Sequence, residues 1–142
     1  MQKHEFVLAA LSAGDDLLDF SPVQVQKLFF LLDREIPGPV GGPHFAFEPY
    51  DFGPFDKEVY RSLDLLQLSG LAKVGGQGRF RRYYLTPEGF EQGQQHLETL
   101  PREVRLFISE LAKWVRSLSF SQLVSSIYQH YPEMRAKSIF QQ

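Results

Sequence analysis

The chain has 142 residues, of which 43% are hydrophobic, 14% aromatic and 23% charged, and it contains no cysteine. This length accommodates one domain with a substantial core, and the hydrophobic content excludes a disordered chain. The lack of cysteine excludes a disulfide framework, a thiolate metal site and a cysteine nucleophile. No apolar run approaches the roughly 18 residues of a membrane span, and the first residues do not begin a signal peptide, so we expect a soluble, cytoplasmic protein without membrane contact.

Charge is distributed unevenly along the chain, although the net charge is only −2. Residues 1–56 contain three basic and nine acidic side chains, a balance of −6, whereas residues 57–142 contain twelve basic and eight acidic ones, a balance of +4. These totals exclude a strongly basic nucleic-acid-binding protein. The asymmetry still allows one face to attract a polyanion while another face repels it.

Two helices are predicted in the first 35 residues. The first covers residues 5–13, where apolar side chains follow a helical spacing and Gly14 ends the run. The second begins at Ser21, which forms a capping box with Gln24 and is followed by Pro22 at the first helical position. Its apolar side chains have the spacing of a buried helix: Val25, Leu28, Phe29, Leu31 and Leu32.

Residues 37–54 have a different composition, because five prolines and four glycines fill half of the segment. A continuous helix cannot cross it. Phe45 and Phe47 alternate within residues 44–48, which predicts a short edge strand that stops at Pro49. The pair Gly53-Pro54 then predicts the entry to a helix.

A helix and a β-hairpin are predicted next. Residues 55–68 place four apolar side chains on one helical face: Phe55, Val59, Leu63 and Leu66. After Gly70, residues 71–74 form a short extended run, the glycines of residues 75–78 predict a tight reversal, and residues 79–85 are rich in strand formers.

The rest of the chain is predicted to be helical. Thr86 and Pro87 begin one helix, residues 101–118 form another, and Ser119 with Gln122 caps a last helix that ends at Pro132. We therefore predict a single domain over residues 1–142. It consists of a core of about residues 1–95, a C-terminal helical extension of about residues 99–133, and a tail of residues 134–142 that is mobile or docked elsewhere.

This order of elements resembles the winged helix-turn-helix. A helix that ends in Leu66-Gln67-Leu68-Ser69-Gly70-Leu71 runs into a glycine-tipped basic hairpin, which leaves through Tyr84-Leu85-Thr86-Pro87-Glu88-Gly89. The hairpin strands of such a fold cover the apolar face of the helix pair, and the arginine-bearing tip projects. The predicted fold class is α+β, mostly α: a winged helix-turn-helix with a short β-hairpin wing and extra C-terminal helices.

Three motifs give a narrower resemblance that covers most of the chain. They are Val25-Gln26-Lys27-Leu28-Phe29-Phe30-Leu31-Leu32, Tyr50-Asp51-Phe52-Gly53-Pro54-Phe55, and the pattern Leu-Val-x-x-Ile-Tyr-x-x-Tyr-Pro-Glu over residues 123–133. They resemble small prokaryotic YwgA-like proteins and the Panacea, or SocA-like antitoxin, domain, which also pairs a Lys-Leu helix with a later Tyr-x-x-Gly-Pro. The resemblance implies a winged-helix-like core, a role as antitoxin, proteolytic adaptor or regulator, and no catalytic residue.

Double-stranded DNA is the first partner that we consider. The candidate contacts are four cations on the hairpin and two on the preceding helix: Lys73, Arg79, Arg81 and Arg82, and Lys57 and Arg61. Arginines on a wing contact phosphates or enter the minor groove, and the two helical cations share a face. The alternative is a solvated hairpin whose charges prevent edge pairing, beside an ordinary amphipathic helix with ion pairs.

A partner protein is the second possibility. Residues 45–52 contain four aromatic side chains: Phe45, Phe47, Tyr50 and Phe52. They either close the core beneath the following helix or form an exposed patch for a partner, such as a toxin or the target of a protease adaptor. The cations and Trp114 of residues 101–118 leave a further choice, between a solvated face and a homodimer interface.

The sequence predicts neither an enzyme nor a cofactor or metal site. The histidines at 4, 44, 96 and 130 lack the spacing of metal ligands, there is no Gly-x-Ser-x-Gly turn, and residues 75–78 lack the helix and Lys-Ser/Thr of a phosphate loop. No residue pattern predicts a small-molecule pocket. We therefore expect a non-catalytic DNA-binding transcriptional regulator or, alternatively, an antitoxin or adaptor that acts through protein contacts.

Overall fold

Helices dominate the structure, a computed structural model that describes residues 1–14 and 18–140. Within these residues there are six α-helices, and their bounds are Lys3–Ser12 (α1), Pro22–Glu35 (α2), Lys57–Leu68 (α3), Pro87–Glu98 (α4), Arg102–Ser117 (α5) and Phe120–His130 (α6). Four short strands form two antiparallel hairpins, Glu48–Tyr50 (β1) with Gly53–Phe55 (β2), and Ala72–Gly75 (β3) with Arg82–Leu85 (β4). The predicted fold class, α+β and mostly helical, is therefore confirmed.

Local capping signals fix where several helices begin. The hydroxyl of Ser21 accepts from the Gln24 amide at 3.2 Å, and the Gln24 side chain accepts from the Ser21 amide at 2.8 Å. Ser119 and Gln122 form the same reciprocal pair ahead of α6. Thr86 Oγ1 accepts from the Gly89 amide at 3.1 Å. The predicted helix starts at these three caps are therefore confirmed, and each depends on residues within one turn.

The core is built around α1, whose side chains from Phe6 to Leu11 are all buried. Helix α4 packs along α1, and Gly93 permits the close approach. A Cβ at residue 93 would lie 2.4 Å from the Leu8 carbonyl oxygen and 2.6 Å from the Ser12 Cβ. Helices α2, α3, α5 and α6 also contribute buried side chains to the core, and α5 and α6 both pack on α2.

The segment before α3 differs from its prediction. Residues 44–47 are not a strand; the first hairpin instead pairs Glu48 with Phe55, Pro49 with Pro54 and Tyr50 with Gly53. The backbone amides of this extended segment donate to carboxylates and not to a neighbouring strand. Asp33 accepts from the His44 and Phe45 amides at 3.0 and 2.8 Å, and Asp56 Oδ2 accepts from the Ala46 amide at 2.8 Å.

The predicted helix entry at Gly53-Pro54 is also wrong. Gly53 has a φ of +100°, a value that glycine adopts readily, and it forms the reversal that places Pro54 in β2. Helix α3 therefore begins at Lys57, and the Asp56 side chain caps it by accepting from the Glu58 amide at 2.9 Å. Phe55 belongs to β2 and not to the buried face of α3.

The second hairpin lies where the wing was predicted, but its second strand is shorter. Residues 78–80 form a 3₁₀ turn, so the strand begins at Arg82 and not at residue 79. Phe20, in the segment ahead of α2, exchanges two backbone hydrogen bonds of 2.8 Å with Tyr83 of β4. Strand β4 is therefore tied to the segment just ahead of α2.

The C-terminal tail docks on the first hairpin as far as the structure describes it. A 3₁₀ turn over Pro132–Arg135 buries Met134, and the Ile139 amide donates to the Asp51 carbonyl at 3.0 Å. The last two residues of the predicted tail lie outside the described residues. No helix in the described ranges has the length and apolar character that crossing a bilayer requires.

Candidate functional site

The two helical cations lie at the exposed surface of α3. Arg61 Nη1 forms an ion pair with Glu58 Oε1 at 3.0 Å, one turn earlier on the same helix. Lys57 has no ion-pair partner among residues 1–14 and 18–140. The same exposed surface includes Asp64, so it combines both signs of charge.

The four hairpin cations divide into two pairs with different surroundings. Lys73 and Arg79 are exposed, and the Arg79 guanidinium lies over the Phe80 ring with 5.0 Å between the Cζ atom and the ring centroid. Arg81 and Arg82 are only partly exposed because they contact other parts of the fold. The prediction treated all four as one group.

Arg81 and Arg82 attach the hairpin to its neighbours. The Arg81 Cζ atom lies 5.2 Å from the ring centroid of Tyr60 on α3 and 5.7 Å from that of Tyr83, a cation–π arrangement. Arg82 Nη2 donates to Asp19 Oδ1 at 2.7 Å, and this hydrogen bond holds the pKa of the Asp19 carboxyl below its usual range. These two arginines therefore have structural partners, and only Lys73 and Arg79 present their charge mainly to solvent.

The four aromatic side chains of residues 45–52 also divide into two pairs. Phe45 and Phe47 pack on the buried rings of Phe29 and Phe30, with centroid separations of 5.8 and 5.6 Å. Tyr50 and Phe52 are 51% and 38% exposed. The core interpretation therefore fits the first pair, and an exposed patch fits the second.

Two of the motifs that gave the family resemblance meet in space. The Gln26 side chain pairs with the backbone of Asp56, accepting from its amide at 2.9 Å and donating to its carbonyl at 3.0 Å. Lys27 Nζ donates to the Pro54 carbonyl at 3.1 Å. The Gln-Lys pair on α2 thus fixes the backbone that leads from the Gly-Pro hairpin into α3.

Lys27 is a buried amine, with only 3% of the residue exposed. The Pro54 carbonyl is its only hydrogen-bond acceptor, and it has no carboxylate partner, within the part of the chain that the structure describes. Burial lowers the pKa of this amine to about 7, because a charge without water or a counterion is disfavoured. Sequence reasoning missed Lys27, although the run of apolar side chains around α2 signals a helix that is buried on all sides.

A cavity of about 690 Å³ opens beside Lys27. Its walls come from α2, the β1–β2 hairpin, α3, the second hairpin and the start of α6, and they include Lys27, Phe52, Tyr60, Arg79, Phe80 and Phe120. Residues far apart in the chain form this cavity, which explains why no local pattern predicted it. It adjoins the hairpin cations that were predicted to contact DNA.

One further surface bears on the candidate partners. Helix α5 exposes Leu106, Phe107 and Trp114, the region that was considered for a homodimer. Among the described residues, no group of three or more His, Cys, Asp or Glu side chains has the arrangement of a metal site.

Comparisons of this chain with known proteins identify no relative. The chain matches no protein-family model, no curated protein and no solved structure. The resemblance to YwgA-like proteins and the Panacea domain therefore rests on the sequence motifs alone.

Proposed function

We propose that this chain is a winged-helix protein that binds double-stranded DNA as a transcriptional regulator. The observation that supports this most directly is the backbone pairing of Phe20 with Tyr83, which ties the second hairpin to the segment before α2. A helix, a short bridging strand, two helices and a hairpin are the elements of a winged helix, and β1–β2 is an insertion between the second and third helices. In this arrangement α3 is the recognition helix and the β3–β4 hairpin is the wing.

The wing and α3 are adjacent surfaces, because Arg81 on the hairpin lies over Tyr60 on α3. Four exposed cations are distributed over these two elements: Lys57 and Arg61 on α3, and Lys73 and Arg79 on the hairpin. Together they offer a duplex four positive charges, whereas Arg81 and Arg82 act by holding the wing in place.

Phosphate contacts are expected to supply most of the affinity. Each neutralised phosphate contributes about −0.9 to the slope of log K against log salt, so four contacts give a modest, strongly salt-dependent interaction. Glu58 and Asp64 are on the same helix as Lys57 and Arg61, and their charge opposes close approach of phosphate. We therefore propose weak base readout by α3.

A triple variant, Lys57→Ala with Lys73→Ala and Arg79→Ala, tests this proposal. These side chains are exposed, so the fold should be retained, and fluorescence anisotropy with a mixed-sequence duplex should show at least about tenfold weaker binding. A control with Arg102→Ala and Lys137→Ala also removes exposed cations, but outside α3 and the hairpin, and it should lose less. A triple variant that binds as tightly as the unmodified protein would overturn the proposal.

A second candidate function is an antitoxin or adaptor that binds a protein. The observation that favours it is the exposure of Leu65 and Leu68 on α3, at 60% and 85%. Leucines add little to a phosphate interface, whereas large exposed apolar side chains are common at protein interfaces.

Two experiments with one double variant distinguish the two functions. The double variant Leu65→Ser with Leu68→Ser should bind duplex DNA about as well as the unmodified protein if DNA is the ligand of α3. If a protein is the ligand, the unmodified chain should recover a stoichiometric partner from its native host and the double variant should lose it. Recovery of DNA alone by both forms would contradict the second function.

A further inference from the structure

The cavity beside Lys27 has the size of a small-molecule site. Its volume of about 690 Å³ lies within the roughly 300–1,000 Å³ that ligand pockets occupy. Elements that are distant in the chain line it, and the lining includes neither the exposed cations of α3 nor its exposed leucines. The proposed DNA-binding function gives it no role.

Aromatic rings form much of the cavity wall. Phe52 and Phe120 meet edge to face with 5.0 Å between centroids, and Tyr50 stacks on Phe55 at the same separation. Phe80 is 71% exposed, an unusual position for a phenylalanine, and the Arg79 guanidinium lies over its ring. Such walls favour a flat apolar ligand, because offset stacking and edge contacts add to the burial of apolar area.

The charges that line the cavity are mostly positive. Lys27 is buried with a single hydrogen-bond acceptor among the described residues, and it retains the capacity to donate to a second group. Arg79 lies at the cavity without a carboxylate partner in the described ranges, whereas Arg82 is paired with Asp19. Asp51 is the acidic side chain in the wall. An anionic group on the ligand would therefore supply the counterion that Lys27 and Arg79 lack.

We propose that this cavity binds a flat aromatic carboxylate, whose ring packs among Phe52, Phe80 and Phe120 and whose carboxylate pairs with Lys27. Buried ammonium groups are stabilised when a carboxylate both neutralises them and accepts a hydrogen bond. The Pro54 carbonyl already orients the amine from one side.

If the proposed DNA-binding function holds, a ligand in this cavity should also change the affinity for DNA. Arg79, Phe80 and Arg82 belong both to the cavity wall and to the β3–β4 hairpin. A ligand that contacts them biases the hairpin conformation that meets DNA, so occupancy and DNA affinity should be coupled.

Binding of naphthalene-2-carboxylate, measured by isothermal titration calorimetry on the full chain, tests the site directly. Its uncharged isostere, naphthalene-2-carboxamide, is the matched ligand control. The carboxylate should bind at least about tenfold more tightly than the amide, because only the carboxylate forms a charge-assisted hydrogen bond with the lysine ammonium. No binding of either compound at millimolar concentration, or tighter binding of the amide, would overturn the proposal.

Three variants assign the contacts. Lys27→Met keeps most of the apolar part of the side chain but removes the amine, so it should abolish the preference for the carboxylate and weaken amide binding much less than carboxylate binding. Phe80→Ala, at an exposed position, should weaken both compounds by about three- to tenfold because it removes one ring from the wall. Lys137→Met is the control at an exposed lysine outside the cavity, and it should change neither affinity.

The outcomes separate the two proposals. A preference for the carboxylate that persists in Lys27→Met, checked for folding by thermal unfolding, would refute the assignment of Lys27. If the unmodified protein binds the carboxylate but no duplex DNA, the proposed function fails and the ligand site stands. If it binds DNA but the carboxylate neither binds nor changes the DNA affinity, the ligand site fails and the proposed function stands.

Discussion

The Lys27 amine, held inside the protein by the Pro54 carbonyl, makes stability depend on pH in a defined direction. Its pKa is lowered from 10.5 in the unfolded chain to about 7 in the folded one, so between these values the unfolded chain binds the extra proton. The free energy of unfolding therefore rises with pH across this window, and the full penalty of burying the charge is present below pH 7.

We expect Lys27→Met to be more stable than the unmodified protein at pH 6 and to lose that advantage as pH rises. The difference should shrink by about 2–3 kcal/mol between pH 6 and pH 9, at about 1.36 kcal/mol per pH unit within the window. Urea unfolding of both proteins at the two pH values measures it. A difference that is the same at pH 6 and pH 9 would contradict the burial of a chargeable amine.

Gln26 supports the site through both polar atoms of its side chain. Replacement by leucine leaves the amide and the carbonyl of Asp56 without their partner in a partly buried place. Each unsatisfied group costs about 1–3 kcal/mol, so Gln26→Leu should lower the free energy of unfolding by about 2–4 kcal/mol. Gln95→Leu, at an exposed position on α4, is the control and should change it by less than about 0.5 kcal/mol. Equal effects of the two substitutions in urea unfolding would show that the Gln26 contacts are not formed.

At the scale of elements, the packing of α4 on α1 depends on one missing side chain. A Cβ at residue 93 would lie 2.4 Å from the Leu8 carbonyl oxygen, which cannot move without displacing the helix backbone. Gly93→Ala should therefore lower the free energy of unfolding by about 1–3 kcal/mol, even though alanine has the higher helix propensity.

A matched substitution separates this packing effect from backbone entropy. Nothing lies within 4 Å of a Cβ built on Gly38, and its φ is outside the left-handed range. Thermal unfolding of both variants measures the effect, and Gly38→Ala should be neutral or slightly stabilising. If Gly93→Ala proves as well tolerated as Gly38→Ala, the close α1–α4 contact is wrong.

Elements that depend on neighbours in sequence were predictable, and those that depend on distant residues were not. The helix starts at Ser21, Thr86 and Ser119 follow from side chains within one turn of the cap. The segment of residues 44–47 reads as a strand because Phe45 and Phe47 alternate. Asp33, eleven residues before His44, instead holds its backbone. Local periodicity contains no information about that contact.

At the scale of the whole molecule, the candidate site required the same kind of distant contact. The cations of the second hairpin were identified from sequence, but their division into exposed and structural pairs depends on Asp19 and Tyr60. Lys27 and Pro54 are 27 residues apart, and Lys27 lines a cavity to which residues from distant parts of the chain contribute. The sequence contains the Lys-Leu and the Gly-Pro motif, and only the fold shows that they meet, through the hydrogen bond from Lys27 to the Pro54 carbonyl.

The salt dependence of duplex DNA binding tests the central proposal, that α3 and the β3–β4 hairpin contact phosphates, most directly. Titration of the unmodified chain with a mixed-sequence duplex at several salt concentrations should give a slope of log K against log salt of about −3.6, for four contacts at about −0.9 each. The triple variant at residues 57, 73 and 79 should reduce the slope to about −0.9. A slope near zero, or one that the triple variant leaves unchanged, would contradict the account.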